Sequence, residues 1–117
     1  MSKVLTELAD SHFRMRTVGL STAGKPEIVV EFNDWELNSG VEVFLNYVSY
    51  YLTSSGGNLR PGETMAYGYW MTKFQDAGSH ALEAWEYNPP GHGIREGRFS
   101  DASLLERSAR HMQRIRC

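Results

Sequence analysis

His80, His92 and His111, with the carboxylates Glu83 and Glu86, are the side chains of this chain whose types could hold a metal or move protons. Imidazole titrates near neutral pH and ligates metals, and a neighbouring carboxylate tunes both roles. Their spacing works against a joint site. His80 falls at an expected hairpin turn, His92 in a Pro-Pro-Gly-His-Gly loop and His111 beside a helix face, so only tertiary placement would bring them together. His12 is equally isolated. Cys117 is the last residue, where a nucleophile would need a terminus folded inward, and an incidental thiol is the simpler account. Ser54-Ser55-Gly56-Gly57 has the composition of a phosphate nest, yet it closes a helix rather than opening one. Gly-x-Ser-x-Gly, P-loop, Rossmann and His-Glu-x-x-His patterns are all missing. These observations lead to the expectation of a noncatalytic protein without cofactor or metal. The alternative is a small enzyme or ligand-binding domain in which His80 and His92 meet Glu83 and Glu86 around a pocket.

The elements that would position these groups follow from periodicity and turn chemistry. Val4, Leu5 and Leu8 give a helical turn or a lead into a first strand. Phe13, Met15 and Val18 read as a strand, Thr22 to Pro26 as a turn, and Ile28 to Phe32 as a β-branched run, which makes 13–32 a hairpin. Ser39 and Glu42 have capping-box spacing and open a helix from Gly40 to about Ser54, closed by Gly56 and Gly57. Thr64 to Phe74 alternates like one strand with aromatic residues on both faces. With Asp76 to Ser79 as the loop, that strand pairs with the next so that Trp70 faces Trp85 and Phe74 faces Ala81. Asn88 to Gly97 reads as a loop, and Ser100 or Asp101 caps a last helix reaching about Arg116. The expected fold is one α+β domain over residues 1–117, a mostly antiparallel sheet of about four strands packed with the long central helix and the C-terminal helix.

Charge is unevenly placed. The total is −2 with pI near 6.1, which argues against whole-surface attraction to nucleic acid or anionic membrane. Six of the twelve basic residues lie in 95–117, leaving an acidic body with a basic tail element. Arg107, Arg110 and Arg114 could track a nucleic-acid backbone, although a solvated face accounts for them and the acidic body opposes the idea. One cysteine permits no internal disulfide, the N-terminal residues lack a secretory pattern and no run approaches a membrane span, so a cytoplasmic location is expected.

The long helix carries more apolar surface than one core stripe needs. Val41, Phe44, Leu45, Val48, Tyr51 and Leu52 make that stripe, and Val43, Tyr47 and Tyr50 widen it. Packing between sheet and another helix explains the widening, and an interface is the sharper reading. Asp34 and Glu36 precede the helix, where Ser39 and Glu42 already serve as caps, so the surplus carboxylates leave a negative surface. A partner-binding surface is therefore expected at Asp34, Glu36, Glu42, Tyr47 and Tyr50, with a homodimer left open.

The layout of an early hairpin, a Ser39-to-Gly56 helix, Tyr67-Gly68-Tyr69-Trp70 paired with Ala84-Trp85-Glu86-Tyr87 and a closing helix resembles small immunity proteins of bacterial polymorphic toxin and contact-dependent growth inhibition systems. The resemblance implies a cytosolic protein that binds and neutralises one cognate toxin domain, often a nuclease. It assigns no role to any single residue.

Overall fold

Apolar and polar residues alternate along Glu27–Phe32, and in the computed structural model Ile28, Val30 and Phe32 are completely buried while Glu27, Val29 and Glu31 lie on the other face. The structure describes residues 3–8, 12–33, 35–67, 70–78, 80–88, 95–97, 107–108 and 110–111. In chain order the strands are β1 (Lys3–Leu8), β2 (Phe13–Val18), β3 (Glu27–Phe32), β4 (Thr64–Tyr67), β5 (Trp70–Asp76), β6 (Ala81–Asn88) and β7 (Arg95–Gly97). One helix, α1 (Asn38–Thr53), lies between β3 and β4, and 3-10 turns occupy Leu20–Ala23 and Trp35–Leu37.

The strands form one sheet in the order β1-β2-β3-β6-β5-β4. β7 pairs with β6 at Glu86, Tyr87 and Asn88, beyond the stretch where β3 pairs with Ala81, Leu82 and Glu83, so β3 and β7 share one flank of β6. All ladders are antiparallel except β3 with β6, which is parallel and aligns Glu27 with Ala81. A parallel pair needs a long crossover, and here the chain passes through α1 and the β4–β5 hairpin before returning.

α1 covers the face made by Met15, Ile28, Val30, Phe32, Tyr67, Phe74, Leu82 and Ala84, into which it buries Val41, Phe44, Leu45, Val48 and Leu52. The Tyr67 ring meets Phe44 edge-on at 5.1 Å and Tyr47 at 5.3 Å. That contact explains most of the wide apolar arc on α1: Val43 and Tyr47 pack against the core at its margin.

Several expectations are corrected. The sheet is a mixed sheet of seven strands rather than an antiparallel one of about four, and α1 is the single helix among the elements described. The run from Thr64 to Phe74 is two strands, because Tyr67 pairs with Trp70 and β4 folds back on β5. Strand propensity was legible there, but a fold-back leaves the alternation on each side intact and so hides in the pattern. The expected closing helix falls largely outside the described residues, of which Arg107, Ser108, Arg110 and His111 have helical backbone.

The register of β5 with β6 also differs. Phe74 faces Ala84, and Lys73 faces Trp85. His80 takes a left-handed conformation (φ 59°) beside Gly78 (φ 87°), while the Asp76 carboxylate accepts from the Gly78 amide at 3.0 Å. Asp76 therefore stays in the strand and the turn moves toward His80, and this odd shift puts Trp85 on the face away from α1. Finally, Ser39 is not the cap. The 3-10 turn Trp35–Leu37 runs straight into α1, and no side chain caps the junction at Leu37.

Candidate functional site

No Lys or Arg occurs between Pro26 and Leu59, whereas Glu27, Glu31, Asp34, Glu36 and Glu42 do. Two of these five carboxylates are committed inside the fold. Glu27 accepts from the Thr17 hydroxyl at 2.7 Å and from the amides of Gly19, Ser21 and Leu20 at 3.1, 3.0 and 3.3 Å. Partial burial pushes its pKa up, but the hydrogen bonds from Thr17, Ser21 and Gly19 outweigh this and hold the carboxyl below its ordinary range. Glu31 accepts from the Arg14 guanidinium at 2.8 and 3.0 Å and lies 3.3 Å from His12. Burial again raises its pKa and the contacts with Arg14 and His12 prevail, so it too is lowered. Of the other three, Glu36 and Glu42 are exposed.

Glu36 lies in the 3-10 turn and is exposed, next to Trp35, which is 55% exposed. The indole does not float: it packs at 5.0 Å against Phe13, which stacks in turn on Phe32 at 5.7 Å. A tryptophan supported beneath and open above offers contact area at little entropic cost. On α1, Ser39, Glu42, Asn46, Tyr50 and Thr53 are all exposed, and their spacing of three and four residues places them on one stripe. Tyr50 is 50% exposed, about 12 Å along the axis from Glu42 at 1.5 Å per residue.

The structure thus brings Glu42 and Tyr50 onto one face of α1 and sets Glu36 at the approach to that helix. Tyr47 lies elsewhere, half-buried against Tyr67. Asp34 is outside the described residues. Trp35 was not among the expected site residues, although a tryptophan between two acids in a segment of turn composition is a usable signal.

The alternative site is not assembled. Glu83 and Glu86 point to opposite faces of β6, Glu86 being buried on the side of Leu82 and Ala84. His80 stands at the β5–β6 turn, His111 is half-buried in helical backbone, and His92 and Cys117 are outside the described residues. Among the described residues no group of three or more His, Cys, Asp or Glu side chains is placed to hold a metal ion. Arg107 and Arg110 are exposed, and Arg114 is outside the described residues. The Ser54 to Gly57 segment is a helix ending: the Ser55 and Gly57 amides bond Tyr50 and Tyr51 carbonyls at 3.2 and 2.8 Å, with Gly56 left-handed. No helix among the described residues is long and apolar enough to cross a membrane.

The family model described as "Domain of unknown function (DUF4261)" matches residues 16–80, from β2 to the β5–β6 turn. That span contains all five expected partner-binding residues and Trp35. No curated protein and no solved structure matches the chain.

Proposed function

The chain belongs to the DUF4261 family, and on that premise we propose that it is a noncatalytic protein-binding protein whose acidic, aromatic surface at Trp35, Glu36, Glu42 and Tyr50 engages a basic partner. The observation that carries this reading is the coincidence of two exposed large aromatics with a 26–59 stretch devoid of positive charge. Carboxylates steer a basic protein into encounter, and a supported indole and a phenol supply desolvated contact that charge alone does not. Dispersal of the described candidate groups over both faces of β6, the β5–β6 turn and the helical backbone at His111 supports the noncatalytic part. The narrower form, neutralisation of a cognate bacterial toxin domain in the cytosol, rests on what remains of the resemblance, an early hairpin followed by a long helix, since Tyr67 and Trp70 belong to two paired strands and not to one.

The test is co-expression with the protein encoded by the adjacent gene, followed by surface plasmon resonance at two salt concentrations. Charge reversal at Glu36 and Glu42 is expected to slow association and flatten its salt dependence, and Tyr50→Ser to speed dissociation. A complex whose kinetics ignore these changes removes this surface from the function. Failure to form any complex removes the neutralisation reading.

A further inference from the structure

A cavity of about 570 Å³ opens at the other end of β3, lined by residues from the Leu20–Ala23 turn and its exit, from the α1–β4 connection and from the β5–β6 turn. Its volume is that of ordinary small-molecule sites. Its apolar wall is Pro26, Leu59, Pro61 and Leu82, of which Leu59 and Leu82 are buried. Lys25 and Asp76 are its two charged side chains besides the imidazole of His80.

Among the described residues those two charges form no ion pair with each other. The Lys25 ammonium donates to the Gly57 carbonyl at 3.0 Å and to Asn58 Oδ1 at 2.9 Å, both neutral acceptors. An ammonium has three hydrogens, so one is uncommitted among the described residues, and the described ion pairs do not include Lys25. Asp76 gives one carboxylate oxygen to the Gly78 amide and is likewise absent from the described ion pairs. A half-buried cation and an anion that line one cavity without meeting are complementary to a ligand carrying both signs.

We propose that this cavity binds a small zwitterionic amino carboxylate with an apolar body: its carboxylate on Lys25, its ammonium on Asp76 and its aliphatic part against Leu59 and Leu82. This site is separate from the acidic surface and does not depend on the protein-binding reading. A ring N–H of His80, which also lines the cavity, can donate to the same carboxylate. Its left-handed backbone fixes the turn that carries Asp76 and Gly78 into the lining.

The probes are leucine, with adjacent charges, ε-aminocaproate, with separated charges, and caproate, which lacks the amine, each titrated into the full chain and followed by amide NMR shifts. One of the two zwitterions is expected to shift the Gly24, Gly78 and Ala81 resonances and to bind at least roughly ten-fold more tightly than caproate, the scale of a charge-assisted contact. Asp76→Asn retains an oxygen for the Gly78 amide and is expected to reduce zwitterion affinity to that of caproate. Lys25→Met is expected to weaken all three. The proposal is overturned if neither zwitterion shifts these resonances, if caproate binds as tightly, or if Asp76→Asn leaves zwitterion affinity unchanged. Because Asp76→Asn preserves the turn contact, the proposal stands or falls on it even if Lys25→Met does not fold.

Discussion

Replacing Glu27 by alanine should lower stability by about 2 to 3 kcal/mol, and the magnitude follows from which donors lose their acceptor. Four reach the carboxylate, but they are not equivalent. Ser21 is exposed, so its amide can turn to water at small cost. Thr17 is completely buried, and its oxygen already accepts from the Ile28 amide at 2.9 Å, so its hydroxyl hydrogen has only Glu27 to go to. An unsatisfied buried donor costs ~1 to 3 kcal/mol, and hydrogen bonds to a charged group exceed neutral ones, with a discount here for the half-exposed carboxylate. Thermal unfolding followed by circular dichroism should show a midpoint lowered by roughly 8 to 12 °C. The acid limb supplies an independent check. The folded pKa of Glu27 lies below its unfolded value, so its contribution is complete above the unfolded pKa and is lost as pH falls through the folded one. Glu27→Gln should therefore flatten the fall in stability below the ordinary carboxylate range while Glu31 maintains part of the slope. A midpoint unchanged in Glu27→Ala, or an acid slope unchanged in Glu27→Gln, would refute the anchoring role. The outcome reaches the cavity as well, because the turn held by Glu27 brings Ser21, Gly24 and Lys25 to its wall.

Phe74→Ala should cost ~3 to 5 kcal/mol in chemical denaturation and Trp85→Ala distinctly less, since Phe74 is buried under α1 and Trp85 is half-buried on the opposite face; equal losses would contradict the register. Gly57→Ala drives a Cβ into the Tyr51 ring and should destabilise by ~1 to 3 kcal/mol, with much of the loss recovered in a Tyr51→Leu background; a neutral Gly57→Ala would show that the ring moves freely. Tyr50→Ser should change the melting midpoint by the equivalent of less than ~1 kcal/mol, and a larger drop would assign the ring to folding rather than to a partner. In Glu31→Gln the stability lost through acid titration should shrink, because that carboxyl is also held below its ordinary range by Arg14 and His12; an unaltered profile would count against the contact.

Local periodicity by itself determined the amphipathic helix with Phe44, Leu45, Val48 and Leu52 inward, and the existence of the β2–β3 hairpin, whose register, Met15 opposite Val30, the structure supplies. In both, the partners lie within a few turns or across a short loop, where side-chain spacing carries the information. Composition likewise marked the acidic stretch around Glu36 and Glu42. Tertiary structure alone decided the parallel pairing of β3 with β6, since Ile28 meets Leu82 across the whole α1 crossover and no local pattern encodes such a contact. It decided the different exposure of the tyrosines on α1: Tyr47 and Tyr50 are both outside the main core stripe, yet the first packs against Tyr67 and the second is half exposed. It also decided which carboxylates are committed to the fold. Glu27 and Glu31 alternate in sequence as any surface pair would, and only the strand opposite, with Thr17 and Arg14, turns them into structural anchors. The cavity belongs to the same class, because Lys25 and Leu59, from two loops, and Asp76, from the end of β5, meet only when the sheet aligns these segments.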